Sequence, residues 1–231
     1  MLTNLQNKDL KTEGFVLRRT NYGEADRILN IITPVGKISA MARGVRKEKS
    51  KLAGGVEMLT RSNYVIHFGK SEIGVVTSVK MVRYFGELLK DYDTMELVGM
   101  ILKKINWAAD SVDNAEYFSI VEQCLEALEA KAKHELVEAW FVLNLRRAMG
   151  EQMNLYRDAE GAKLSAEEYY AWDGTERALR VHKTGEYGVN EIKLMRLMLA
   201  MNLGAIQRVK VDEATMRKVC GLCKISNANM L

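Results

Sequence analysis

The apolar residues of this chain change period once, near residue 83, and that change limits the fold more than any other feature. Upstream, the period is two. Lys37 to Val45 alternates, with Ile38, Ala40 and Ala42 on one face and Lys37, Ser39, Met41 and Arg43 on the other, as a half-buried strand requires. Phe15–Leu17 and Ile28–Ile32 are short β-rich runs, closed by turn signals at Asn21-Tyr22-Gly23 and Thr33-Pro34-Val35-Gly36. Val56–Phe68 and Ile73–Tyr84 read as two more strands, separated by Gly69-Lys70-Ser71. Five short strands in about 70 residues, with no long helix between them, predict a small closed barrel. An OB-fold fits this pattern, and an SH3-like barrel fits it nearly as well.

Downstream, the spacing becomes helical. Leu88, Leu89, Tyr92, Met95, Val98, Leu102 and Ile105 share one helical face between Gly86 and Ala109. Asp110–Asn114 supplies a break with N-cap residues. Residues 115–131 and 134–149 read as two further helices, the second closed by Gly150. Residues 151–189 hold four glycines among short mixed runs, which predicts an irregular segment with a hairpin at Tyr169–Val181. Residues 190–203 and 211–222 return to helix. The expected class is α+β, with an OB-fold domain over 1–83 and an all-helical domain over 84–231. The irregular insert at about 151–189 lies inside the second.

Charge divides at the same place. Residues 1–83 carry 15 Lys and Arg against 7 Asp and Glu, and the remainder carries 19 against 23. The total of +4 therefore hides a basic module and an acidic one, which favours nucleic-acid contact by the first. No apolar run approaches the roughly 18 residues of a membrane span. The opening MLTNLQNKDLK lacks the apolar core of a secretory signal. Three cysteines make no disulfide framework. These features lead us to expect a reduced, cytoplasmic protein.

Catalytic constellations are missing from the pattern. Gly69-Lys70-Ser71 matches the end of a phosphate-binding loop, but Tyr64 stands where that motif needs glycine, and a strand follows instead of a helix. Cys220-x-x-Cys223 has zinc-like spacing without a second pair of ligands, so helical burial is the expectation. His134 and Glu138 lack the second histidine of a zincin and read as a solvated pair. No Ser-His-Asp or Cys-His signature is present. No enzyme activity, metal or cofactor is expected.

The basic stretch is the candidate site. Arg43, Arg46, Lys47, Lys49 and Lys51 fall within nine residues of a loop that reads as flexible, flanked by Gly44 and Gly54-Gly55. Arg18, Arg19 and Lys37 add cations from neighbouring strands. Cations on a small barrel make a groove that tracks a phosphate backbone, and Tyr22, Tyr64 or Phe68 offers rings for base stacking. Tyr22 is the stacking candidate singled out.

Gly14-Phe-Val-Leu-Arg-Arg, Tyr22-Gly-Glu-Ala-Asp-Arg-Ile-Leu, Gly36-Lys37, Ala42-Arg-Gly-Val-Arg-Lys and Ser50-Lys-Leu-Ala-Gly-Gly-Val-Glu resemble, in order and spacing, the N-terminal domain of the bacterial RecO recombination mediators. The resemblance covers about residues 13–60. It implies an OB-fold followed by a helical domain, binding of single- and double-stranded DNA, and annealing of complementary strands. It further implies loading of RecA with RecR on DNA coated by single-stranded DNA-binding protein (SSB), whose C-terminal tail binds the helical domain. Location in the cytoplasm, at the nucleoid, goes with these roles. Many members carry a four-cysteine zinc knuckle in the helical domain. Residues 151–189 contain no cysteine, so the knuckle is expected to be metal-free or degenerate. Glu24, Asp26 and Arg27 match the resemblance and are expected to pair with one another and fix the turn. An OB-fold RNA-binding factor of translation or ribosome assembly, and a protein adaptor with a merely solvated basic loop, are the alternatives.

Overall fold

A computed structural model describes residues 8–227. Residues 1–7, where the signal reading begins, and 228–231 lie outside the described residues. Five strands form the first part: β1 (Lys8–Tyr22), β2 (Asp26–Thr33), β3 (Gly36–Ala42), β4 (Thr60–Phe68) and β5 (Gly74–Tyr84). They close into a barrel of order β1-β2-β3-β5-β4, in which β3 and β5 run parallel and the other pairs antiparallel. This is the OB-fold expected. Its core comprises the inward residues of the alternating runs, among them Leu29, Ile31, Ile38, Ala40, Ala42 and Ile66.

β1 begins seven residues before the predicted run at Phe15 and pairs on both edges. Its first half meets β4 (Lys11 opposite Val65) and its second half meets β2 (Arg19 opposite Leu29). The strand must turn from one sheet to the other near Gly14, where a Cβ would stand 2.5 Å from Ile31 Cγ2. A register shift between Val16 and Arg18 completes the turn. β4 starts at Thr60, four residues later than the sequence suggests, because Ala53–Val56 forms a 3-10 turn. Leu59 then takes a left-handed backbone, with φ of 61°.

α1 (Tyr92–Ser111) and α2 (Glu116–Glu129) follow. The chain divides into two compact units after Leu125, later than the change of period at residue 83. The reason is the apolar outside of β1. Phe15 is 1% exposed, with Phe85 and Phe118 tilted against it at 6.1 and 5.4 Å between ring centres. Asn30 Nδ2 donates to Asn106 Oδ1 of α1 (2.9 Å), adding a polar tie. The barrel alone therefore leaves apolar surface that α1 and the start of α2 cover.

The second unit contains α3 (His134–Ala148), the hairpin β6 (Tyr170–Asp173) and β7 (Ala178–Val181), α4 (Val189–Ala200), α5 (Leu203–Ile206) and α6 (Glu213–Asn227). Gly150, φ 78°, closes α3 just beyond its last turn, with Gly150 N–H donating to Arg147 O and Glu151 N–H to Arg146 O. α3 is buried almost all round, including Trp140, Phe141 and Leu145. No helix among the described residues is long and apolar enough to cross a membrane.

Candidate nucleic-acid interface

The basic loop is built from turns tied to the barrel, which differs from the flexible loop expected. Gly44 takes φ 61° and its N–H donates to Asp26 Oδ1 at 2.7 Å. Arg46 N–H donates to Ala25 O at 2.9 Å, and its guanidinium reaches Gly23 O at 3.2 Å. Two further turns follow, Lys47 N–H to Gly44 O and Ser50 N–H to Lys47 O. Val45 is buried in the barrel core. At the far end Tyr64 Oη donates to Gly55 O (3.0 Å), and a Cβ on Gly55 would fall 2.6 Å from Val79. Gly55 thus permits packing onto the barrel, not approach of a ligand.

This pinning sets the cations beside the β1–β2 turn. Arg43, Arg46, Lys47, Lys49 and Lys51 are exposed and form no ion pair with a described residue; Glu48 is the acid among them. Arg18 is exposed and forms none either. Strand alternation puts Arg18 and Tyr22 on the outer face of β1, with Arg18 opposite Asn30, and Asn30 opposite Ser39 of β3. Arg43 continues the outward face of β3 beyond Met41. Arg18, Tyr22 and the loop therefore border one surface, and the Tyr22 ring is 54% exposed on it.

Two predicted cations stand elsewhere. The Arg19 guanidinium is ion-paired to Glu57, which also accepts from Arg27 at 3.3 Å. Lys37 is ion-paired to Asp110 and donates to Asn106 O at 3.0 Å, with its side chain 11% exposed. It fastens the barrel to α1. Tyr64 and Phe68 belong to the core. Asp26 and Arg27 do not pair with each other: Asp26 holds Gly44, and Arg27 reaches Asn21 and Glu57. In OB-folds the outer face of strands 2 and 3 commonly receives the oligonucleotide. Here α1 occupies the Asn30–Lys37 part, and the part nearer the β1–β2 turn stays open.

Sequence reasoning missed a second cationic spot. Lys11 and Lys80 line a hollow with Thr12, Glu13, Asn63 and Ser78, Glu13 being paired with Arg61. Only the register brings them near, since Lys11 faces Val65, Val65 faces Ser78 and Asn63 faces Lys80. No spacing along the chain signals that.

The cysteines are buried on helices. Cys220 Sγ approaches Glu135 O at 3.3 Å, and burial, with Glu138 and Glu135 nearby, pushes its thiol up to about 11. Burial raises Cys124 and Cys223 further. Such thiols stay protonated, as neither nucleophiles nor ready metal ligands. Among the described residues no cluster of three or more His, Cys, Asp and Glu is placed to hold a metal. Peptide and side-chain hydrogen bonds hold residues 151–189. Asp158 Oδ1 accepts from Glu160 and Ala162 N–H, Tyr170 and Tyr187 exchange both backbone bonds, and Tyr170 Oη accepts from Ser165 N–H at 2.7 Å. Arg146, near the end of α3, is 4% exposed and bonded to Ser226 O.

A basic OB-fold barrel joined to a helical unit is an architecture of DNA-handling proteins. Residues 8–85 match the family described as Recombination protein O N terminal, and residues 107–224 match Recombination protein O C terminal. The chain belongs to the recombination protein O family. A DNA repair protein RecO of Roseiflexus sp. (strain RS-1) is 29% identical over 232 residues, covering 97% of this chain and 77% of the relative. The DNA repair protein RecO of Dehalococcoides mccartyi (strain CBDB1) is 29% identical, covering 88% and 83%. That of Bacillus cytotoxicus is 27% identical, covering 90% and 87%.

Proposed function

We propose that this chain is a recombination mediator that binds single- and double-stranded DNA through the 43–51 loop and anneals complementary strands. With RecR it helps load RecA on SSB-coated DNA, in the cytoplasm at the nucleoid, and it performs no covalent chemistry. The supporting observation is the pinned loop: Arg43, Arg46, Lys47, Lys49 and Lys51 are exposed and form no ion pair with a described residue, beside Arg18 and Tyr22. Phosphates that replace small counterions on these cations release those ions, which supplies the affinity and makes it steeply salt-dependent. Neutralising both strands lowers their repulsion, so complementary bases meet. Arg19 and Lys37 are secondary here, because a phosphate would first have to compete with Glu57 or Asp110.

The helical unit supports the SSB-tail contact. A groove there is lined by Lys131, Lys133, Arg217 and Lys224, by Glu135 and Glu213, and by apolar residues that include Leu136 and Met216; Lys224 also lies 3.8 Å from Glu138. Cations above apolar contacts suit an acidic tail that ends in apolar residues.

The test is binding of fluorescent single-stranded DNA across a salt series, with equal-length RNA as competitor, followed by annealing of SSB-coated strands. Salt-steep binding that RNA displaces poorly is expected. Preferred binding of RNA would return the RNA-factor alternative, and absent binding at low salt would leave the adaptor.

A further inference from the structure

An apolar pocket of about 600 Å³ opens on the first unit where the basic loop ends. Met58 and Leu59 line it from the segment before β4, Met81 and Tyr84 from β5, and Met95 and Val98 from α1. Met81, Tyr84 and Met95 are 45–49% exposed, so nearly half of each side chain's surface faces solvent. The wall at Leu59 is held in a left-handed backbone, its carbonyl accepting from Phe85 N–H at 2.9 Å. Non-glycine residues adopt that conformation at a cost that the surroundings must offset.

Three features select an occupant. First, the pocket continues the basic loop: Gly54 lines it and Lys51 lies three residues upstream, a reach of at most about 11 Å. Second, its mouth carries Arg19 and Glu57, with Arg27 on the same carboxylate. Two guanidiniums and one carboxylate leave a positive mouth with planar donors and an acceptor. Third, beside aliphatic residues such as Leu88 and Leu102, the lining includes a tyrosine ring and three thioethers, flat or polarizable surfaces that suit the face of an aromatic heterocycle.

We propose that this pocket receives an unpaired base of a strand whose phosphates lie on the 43–51 loop. The inference rests on the DNA-binding reading above and adds a site to it. A base within a duplex would have to leave its stack and partner first, so the pocket favours single strands over duplex. It also gives the base up when a complementary strand pairs with it.

Gly99 supplies the test. It lines the pocket on α1, and a Cβ added there meets nothing within 4 Å. Gly99→Phe fills the pocket while raising helix propensity. The probes are an oligonucleotide, the same strand with abasic sites, and the duplex, each titrated at several salt concentrations. The unsubstituted protein is expected to bind the normal strand roughly tenfold more tightly than the abasic strand, the scale of one stacked base. Gly99→Phe is expected to erase that preference while keeping the salt slope and duplex affinity. Met95→Glu, at an exposed position, serves as a second pocket variant: it is expected to erase the same preference, its carboxylate lowering affinity for all three DNAs alike, so a folding defect in one variant does not decide the matter. A preference that survives both substitutions overturns the inference. Loss of repair in cells with unchanged DNA binding overturns it too, and assigns the pocket to a protein partner. Failure of the unsubstituted protein to bind any of the three DNAs overturns the DNA-binding reading itself, which a retained duplex affinity distinguishes.

Discussion

The cations of the 43–51 loop and the paired cations of the helical unit carry the same formal charge under different constraints. In the loop, Arg43, Lys47, Lys49 and Lys51 extend into solvent from turns that other atoms hold in place. In the helical unit, Arg146 is buried between Ser226 O and Glu151 (3.6 Å), Arg180 is ion-paired to both Glu160 and Asp173, and Lys218 lies 3.7 Å from Glu191. Formal charge alone cannot separate these cases, whereas the acidic partners do. Paired cations hold the fold, and unpaired cations on a rigid support are free to meet phosphate.

This contrast can be broken in order of expected effect. Arg146→Ala leaves the groups around a buried guanidinium without their partner and should cost about 3 kcal/mol or more of stability, read by denaturant unfolding. It should leave the salt dependence of DNA binding unchanged; a changed slope would mean that Arg146 meets DNA after all. Asp26→Ala removes the acceptor that holds Gly44, at a cost of about 1–2 kcal/mol. Here DNA affinity should fall although every cation remains, because the loop must then be ordered on binding. Lys37→Ala removes a partly exposed pair and should cost no more than about 1 kcal/mol, read by the same unfolding measurement. A chelator such as EDTA should leave the melting temperature unchanged, since hydrogen bonds hold residues 151–189. A fall of several degrees would reveal a structural metal.

Much of this was legible before the structure. Ile38, Ala40 and Ala42 gave β3 its face, and Tyr169–Val181 contained the hairpin β6–β7. These are local signals, carried by alternation and turn residues. The first half of β1 was illegible because Lys8–Glu13 is charged and polar but for Leu10, and its strand character comes from pairing with β4. The site divided in the same way. The loop's cations were visible as a run, but the Arg19–Glu57 and Lys37–Asp110 pairs join residues 38 and 73 positions apart. Tertiary closure decides such pairs, and spacing carries no trace of them. The β1–β2 turn looked self-contained through Glu24, Asp26 and Arg27, yet Asp26 serves the loop and Arg27 serves Glu57.

The most direct measurement is the salt slope of single-stranded DNA binding for the unsubstituted protein and for the joint change of Arg46, Lys47 and Lys49 to Ala. If these cations neutralise phosphates, the slope should flatten by about 0.7 log units for each phosphate no longer neutralised, about two in all, with unfolding midpoints nearly unchanged. An unchanged slope would contradict the assignment of the loop as the DNA-binding surface.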